Sequence, residues 1–225
     1  KLLKKRGEKL TIKIDYDKKS KTLSVLDNSS GISKDRMEEA LAVGSPIGRD
    51  NEANSLGQFN VGMKAAAIWL SDIWSIRTKR FDSKKELELQ IINEDVFQGT
   101  DEIIEQEKDS SREDKHFTHL QFEELRHDFS QAEIKKAKRY LASMYRRFLG
   151  KSLVIIWGQE LLEWEEFNLT KKSNGSPAKF PFGPAENEND SRKRTIRGWI
   201  GVLESGDRKL GASGDNAGIT IMRRG

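Results

Sequence analysis

Apolar and polar positions alternate at both ends of the first half of the chain, and between them the period lengthens to that of helices. Leu10-Thr11-Ile12-Lys13-Ile14-Asp15 predicts a half-buried strand with Leu10, Ile12 and Ile14 on one face. A turn at residues 17–21 leads to a second strand, Thr22-Leu23-Ser24-Val25-Leu26, which ends at Asp27-Asn28-Ser29-Ser30-Gly31-Ile32. Ser33 then reads as the N-cap of a short helix holding Met37, Ala40 and Leu41. Residues 42–55 are small and polar, and the Gly57–Gly62 stretch after them opens a helix over residues 63–70. Residues 73–78 and 87–92 read as antiparallel neighbours, residues 101–115 as a charged surface excursion, and residues 117–122 as another alternating strand.

The clearest helix spans residues 131–149. Ile134, Ala137, Leu141, Met144, Tyr145 and Phe148 share one face, and Gly150 ends it. Residues 153–157 and 161–164 suggest a hairpin around Gly158-Gln159. The character changes at residues 168–194, which are almost free of aliphatics and hold three of the four prolines, as a linker or long loop would. The strand-like segments 195–203 and 219–222 are separated by glycine-rich residues 206–218 and read as the start of a further domain. The division expected is therefore 1–167, a connection at 168–194, and 195–225. At the other end, Lys4-Lys5-Arg6-Gly7 is a helix stop signal with no start signal before it, so the chain is expected to open partway through a helix.

Composition narrows the class without naming it. Of 225 residues, 35% are apolar and 34% charged, which suits a water-facing protein with a moderate core. No apolar run approaches ~20 residues, and no signal-peptide pattern is present. The absence of cysteine excludes disulfides and thiolate metal sites and fits a cytoplasmic location. A net charge of +4 from 40 basic and 36 acidic residues is a small excess in a large mixture. Lys135, Lys136, Lys138, Arg139, Arg146 and Arg147 lie on the far side of the long helix, which reads as a solvated face or as a nucleic-acid stripe.

The candidate chemistry is phosphate binding. In Gly57-Gln58-Phe59-Asn60-Val61-Gly62-Met63-Lys64, Gly and Asn tolerate positive φ, so successive N–H groups can converge on an anion at a helix start. A P-loop is excluded: Met63 stands where the lysine should be, and Ala65 leaves no hydroxyl for magnesium. No strand precedes the turn, so a dinucleotide fingerprint fails as well. The second constellation is the strand end at Asp27, where a carboxylate can accept from an adenine amine and a nearby glycine lets a purine approach the backbone. Read alone, that stretch is more simply a polar turn.

Together the two stretches resemble the GHKL ATPases, the family of gyrase B, the heat-shock chaperones of that fold, sensor histidine kinases, MutL and MORC proteins. In the family's D-x-G-x-G motif, Asp27 and Gly31 match and Ser29 stands at the first glycine. In its G-x-x-G-x-G motif, Gly57 and Gly62 match and Asn60 replaces the middle glycine. The resemblance implies that Asp27, Gly31, Ile32, Gly57, Asn60, Gly62, Met63, Lys64 and Thr118 contact ATP, with residues 42–55 as a lid over it. It further implies magnesium, slow hydrolysis, a nucleotide-dependent homodimer, and a transducer domain donating Lys209, Arg223 or Arg224 to the γ-phosphate. The fold it implies is α+β, a two-layer sandwich of the GHKL (Bergerat) type followed by the start of a transducer-like domain. The family's catalytic Glu and magnesium-binding Asn have no counterpart before Leu10 and are expected upstream of Lys1. Two other readings stay open, a nucleotide switch that does not turn ATP over and a module that chiefly binds nucleic acid. His116, His119 and His127 are not expected to share a metal, and Trp69 and Trp74 are expected to pack in the core or between domains.

Overall fold

The computed structural model describes residues 3, 6–41, 62–98, 104–110, 116–164, 169–183 and 198–202. The chain divides into two compact units, one of residues 1–164 with 224–225 and one of residues 165–223.

The first unit is built on an eight-stranded sheet of order β5-β4-β3-β6-β2-β1-β7-β8. Its strands are β1 (Leu10–Asp17), β2 (Thr22–Asp27), β3 (Ser71–Lys79), β4 (Lys85–Ile92), β5 (Ile104–Asp109), β6 (Phe117–Leu125), β7 (Leu153–Trp157) and β8 (Glu160–Leu161). All pairings are antiparallel except that of β1 with β7. The alternating segments form the inner strands because each needs one buried face. In register across the sheet, Leu23 faces Phe122, Val25 faces Leu120, Ile76 faces Leu120 and Leu89, and Trp74 faces Phe122 and Ile91.

Among the described residues the sheet is accompanied by α1 (Lys34–Leu41), α2 (Gly62–Leu70), α3 (Asn93–Gln98) and α4 (Gln131–Tyr145). Met37 of α1 and Ala67 of α2 join Trp74, Ile76, Leu89 and Phe122 in the larger core cluster, with Met63 and Leu70 packed beside it. Leu141 and Tyr145 of α4 pack on a second cluster of Ile14, Leu153, Ile155 and Leu162. The result is a mixed α/β fold with one large sheet and few helices. The stop signal near the N-terminus takes the expected form: Gly7 is left-handed (φ 69°), and the Glu8 N–H donates back to the Leu3 carbonyl at 2.9 Å.

Some expectations shift. The charged excursion contains an edge strand, β5, and α3 follows β4 where no helix is predicted. Trp74 is buried, with its indole N–H donating to Asn93 Oδ1 at 3.1 Å, whereas Trp69 is largely exposed. In the second unit, the stretch read as a connection holds β9 (Lys179–Phe182), which pairs antiparallel with β10 (Gly198–Gly201).

Candidate functional site

The site rises from one row of the sheet. Asp27 is the last residue of β2, and its direct partner on β6 is Thr118; Thr118 is in turn the direct partner of Thr78 on β3. Directly paired residues share a face, so Asp27, Thr118 and Thr78 form a polar row across three adjacent strands. Their neighbours two positions along, Val25, Leu120 and Ile76, are core residues or pack against the core, so the row lies on the helix-covered face. Polar side chains on that face require partners, and they have them. Thr78 is 1% exposed; its Oγ1 donates to the Phe117 carbonyl at 2.8 Å and lies 3.4 Å from Thr118 Oγ1.

The turn after β2 is fastened over this row. One Asp27 carboxylate oxygen accepts the Ser29 N–H at 2.7 Å, a short Asx turn. The Ile32 N–H donates to Thr78 Oγ1 at 2.9 Å, and the Phe81 N–H donates to the Ser30 carbonyl at 3.1 Å. Gly31 sits between these bonds at φ 72°, against the backbone of Lys79 and Arg80, where a Cβ would collide with the Lys79 carbonyl. A glycine is required there twice over, by conformation and by contact.

Two residues to which the sequence assigned no part in this site complete the frame. Thr78 holds the turn to β3; the only cue was its place at an inward position of an alternating segment. His116, just before β6, is buried, with Nδ1 2.6 Å from the Ser29 carbonyl and Nε2 3.3 Å from Arg6 Nη1. A carbonyl only accepts and a guanidinium only donates, so the imidazole is the neutral Nδ1–H tautomer. It ties the helical turn before β1 to the turn after β2, a link between residues 110 apart that no spacing reveals.

Of the phosphate-turn residues, Gly62 is the first residue of α2 and is exposed, Met63 is half-buried against the core, and Lys64 is 8% exposed. The helix runs directly into β3 and packs on β3 and β6, the strands that carry Thr78 and Thr118. Gly57, Asn60, residues 42–55, Lys209, Arg223 and Arg224 lie outside the described residues. Among the described residues no group of three or more His, Cys, Asp or Glu could hold a metal ion.

Residues 5–125, which contain the polar row, the fastened turn and α2, match the family model for histidine kinase-, DNA gyrase B- and HSP90-like ATPases. The chain belongs to that family. ATP binding and hydrolysis in general are the chemistry of this ATPase family, and the large mixed sheet is its fold. Three solved structures are similar. The ATPase and transducer domains of DNA topoisomerase II from Balamuthia mandrillaris share 14% identity, with TM-score 0.50, over 68% of this chain and 42% of that one. The ATPase region of Saccharomyces cerevisiae topoisomerase II gives the same figures. That region bound to ICRF-187 (dexrazoxane) gives 12% identity and TM-score 0.51, over 69% and 43%. At such identities the likeness is one of fold, and this chain spans less than half the length of those structures. No curated protein matches the sequence. Among the described residues no helix is long and apolar enough to cross a membrane.

Proposed function

We infer that the chain binds ATP on the polar row and hydrolyses it slowly with magnesium, coupling occupancy to lid closure and dimerisation as a MORC- or chaperone-like ATPase does. The observation that carries the reading is the alignment of Asp27, Thr118 and Thr78 under a turn that only glycine can make. Adenine presents an amine donor beside a ring acceptor. Asp27 accepts from the amine, and Thr118, with its hydroxyl beside that of Thr78, serves the ring edge. Gly31 and Ile32 bring backbone against the purine. Gly57, Asn60 and Gly62 cradle the phosphates at the start of α2, with Met63 seating the helix and Lys64 supplying positive charge. Magnesium belongs to this reading.

Residues 42–55 act as the lid, and the second unit begins a transducer-like module. Asp27→Asn removes a charged acceptor and is expected to weaken ATP binding by roughly 1–3 kcal/mol, about five- to 150-fold in Kd. Titration calorimetry on the longest natural form of the protein measures this, and unchanged affinity removes Asp27 from the site. Single-turnover hydrolysis by the same protein separates an ATPase from a switch that binds without turnover.

A further inference from the structure

The longest acid-free stretch of the chain is strongly basic. Residues 134–159 hold seven of its 40 basic residues and none of its 36 acidic ones. Outside that segment 33 basic residues face 36 acidic ones, so without it the chain is net negative. Two of the seven have evident structural work. Lys138 pairs with Glu160, and Arg146 caps the helix end by donating to the Ser143 carbonyl at 2.9 Å while stacking over Trp164. Lys135, Lys136, Arg147 and Lys151 are exposed, and among the described residues none of them forms an ion pair.

Two of these cations share a helix face with an aromatic ring. At about 100° per residue, Lys135, Lys136 and Tyr140 fall within an arc of about 140° on the side of α4 away from Leu141 and Tyr145, which pack on the core. Tyr140 is 56% exposed and carries the Lys136 ammonium 5.7 Å from its ring centroid. Arg147 and Lys151 follow in the turn after the helix end. We propose that this face of α4, together with the turn that follows it, is a docking surface for the phosphate backbone of a nucleic acid, with Lys135, Lys136, Arg147 and Lys151 meeting phosphates and Tyr140 meeting a sugar or base. Charge complementarity favours that occupant, because a row of unneutralised cations matches a polymer with one charge per ~1.7 Å of duplex axis. An anionic membrane fits less well. The helix has already buried its apolar face in the core, leaving only Tyr140 and Met144 exposed, where membrane-surface helices present a whole apolar face.

The test is fluorescence anisotropy of a labelled 30-base-pair duplex titrated with the full chain. If three phosphates are neutralised, affinity falls roughly 40-fold between 50 and 200 mM salt. The variant K135E/K136E/R147E is expected to lose at least tenfold in affinity at 50 mM salt, with a flatter salt slope. The control K13E/K18E/K19E makes the same charge change on exposed residues of the β1–β2 hairpin and is expected to lose no more than about threefold. Circular dichroism and ATP titration on both variants show whether fold and nucleotide site are intact, so failure here is distinct from failure of the ATP reading. The proposal is overturned if the duplex does not bind at 50 mM salt or if the two variants behave alike. Binding to phosphatidylserine vesicles without binding to DNA also overturns it.

Discussion

At Gly31 the chain takes a left-handed turn against the end of β3, with the Lys79 carbonyl where a side chain would begin. Left-handed backbone and steric collision each disfavour any other residue, and the blocking atoms are backbone, which cannot rotate away. Gly31→Ala therefore either strains the turn or separates it from Thr78 and Phe81. A loss of roughly 1–3 kcal/mol is expected, read as a lower urea midpoint at unchanged slope. Gly62 is the contrasting case, because an added Cβ there meets nothing within 4 Å. Gly62→Ala is thus expected to leave folding stability nearly unchanged, so that any loss of ATP affinity reports on the phosphate turn itself. The pair separates two uses of glycine that look identical in the motif.

At the scale of elements, what could be read from sequence was what periodicity controls. β1, β2, β3, β4 and β6 alternate because the helices cover one face only, and the pattern gave their existence and the antiparallel β3–β4 pair. β5 escaped notice because Glu105, Gln106, Glu107, Lys108 and Asp109 make a charged edge strand, the composition that protects sheet edges from further pairing. β9 escaped because Pro181 argues against a strand, yet a two-stranded ribbon has open edges where proline is tolerated. Asp27 and Gly31 were legible through motif spacing, whereas Thr78 and His116 act through contacts between distant segments. The start of α4 was legible only in part. Ser130 caps it, its side chain accepting the Glu133 N–H, while Glu133 accepts the Ser130 N–H and hydroxyl. Ser130→Ala is expected to cost about 1 kcal/mol. Those bonds from Ser130 hold the Glu133 carboxyl down to about 2, with His127 adding to them. The folded state thus gains from the ionised form, a contribution present above the ordinary carboxylate value near 4.5 and lost as pH falls towards 2. In Ser130→Ala the acid limb of the stability curve should flatten over that window, measured by urea melts from pH 5 to pH 2.

Considered as a whole, the molecule places the polar row of Asp27, Thr118 and Thr78, where we propose the nucleotide sits, across the middle of the eight-stranded sheet, on strands that also carry its main core. β6 bears both Thr118 and Phe122, and β3 bears both Thr78 and Ile76. A ligand seated on that row touches the strands whose separation is global unfolding, so its binding free energy should appear in the unfolding of the first unit rather than in a local loop. Mass action then fixes the size of the effect. ATP at 100 times its Kd is expected to raise the unfolding free energy by about 2.7 kcal/mol, and at 1,000 times by about 4.1 kcal/mol. Asp27→Asn shifts the curve to higher ATP concentration without changing its slope, because the same site fills at a weaker constant. A site confined to the segment before α2 gives a different result, since nucleotide would protect that segment from proteolysis while leaving the unfolding midpoint almost unmoved. Thermal unfolding followed by tryptophan fluorescence is a direct probe, because Trp74 is buried in the same core cluster. A midpoint that rises with the logarithm of ATP concentration, and rises later in Asp27→Asn, places the nucleotide on the sheet. A midpoint independent of ATP, with binding still seen by calorimetry, moves it off.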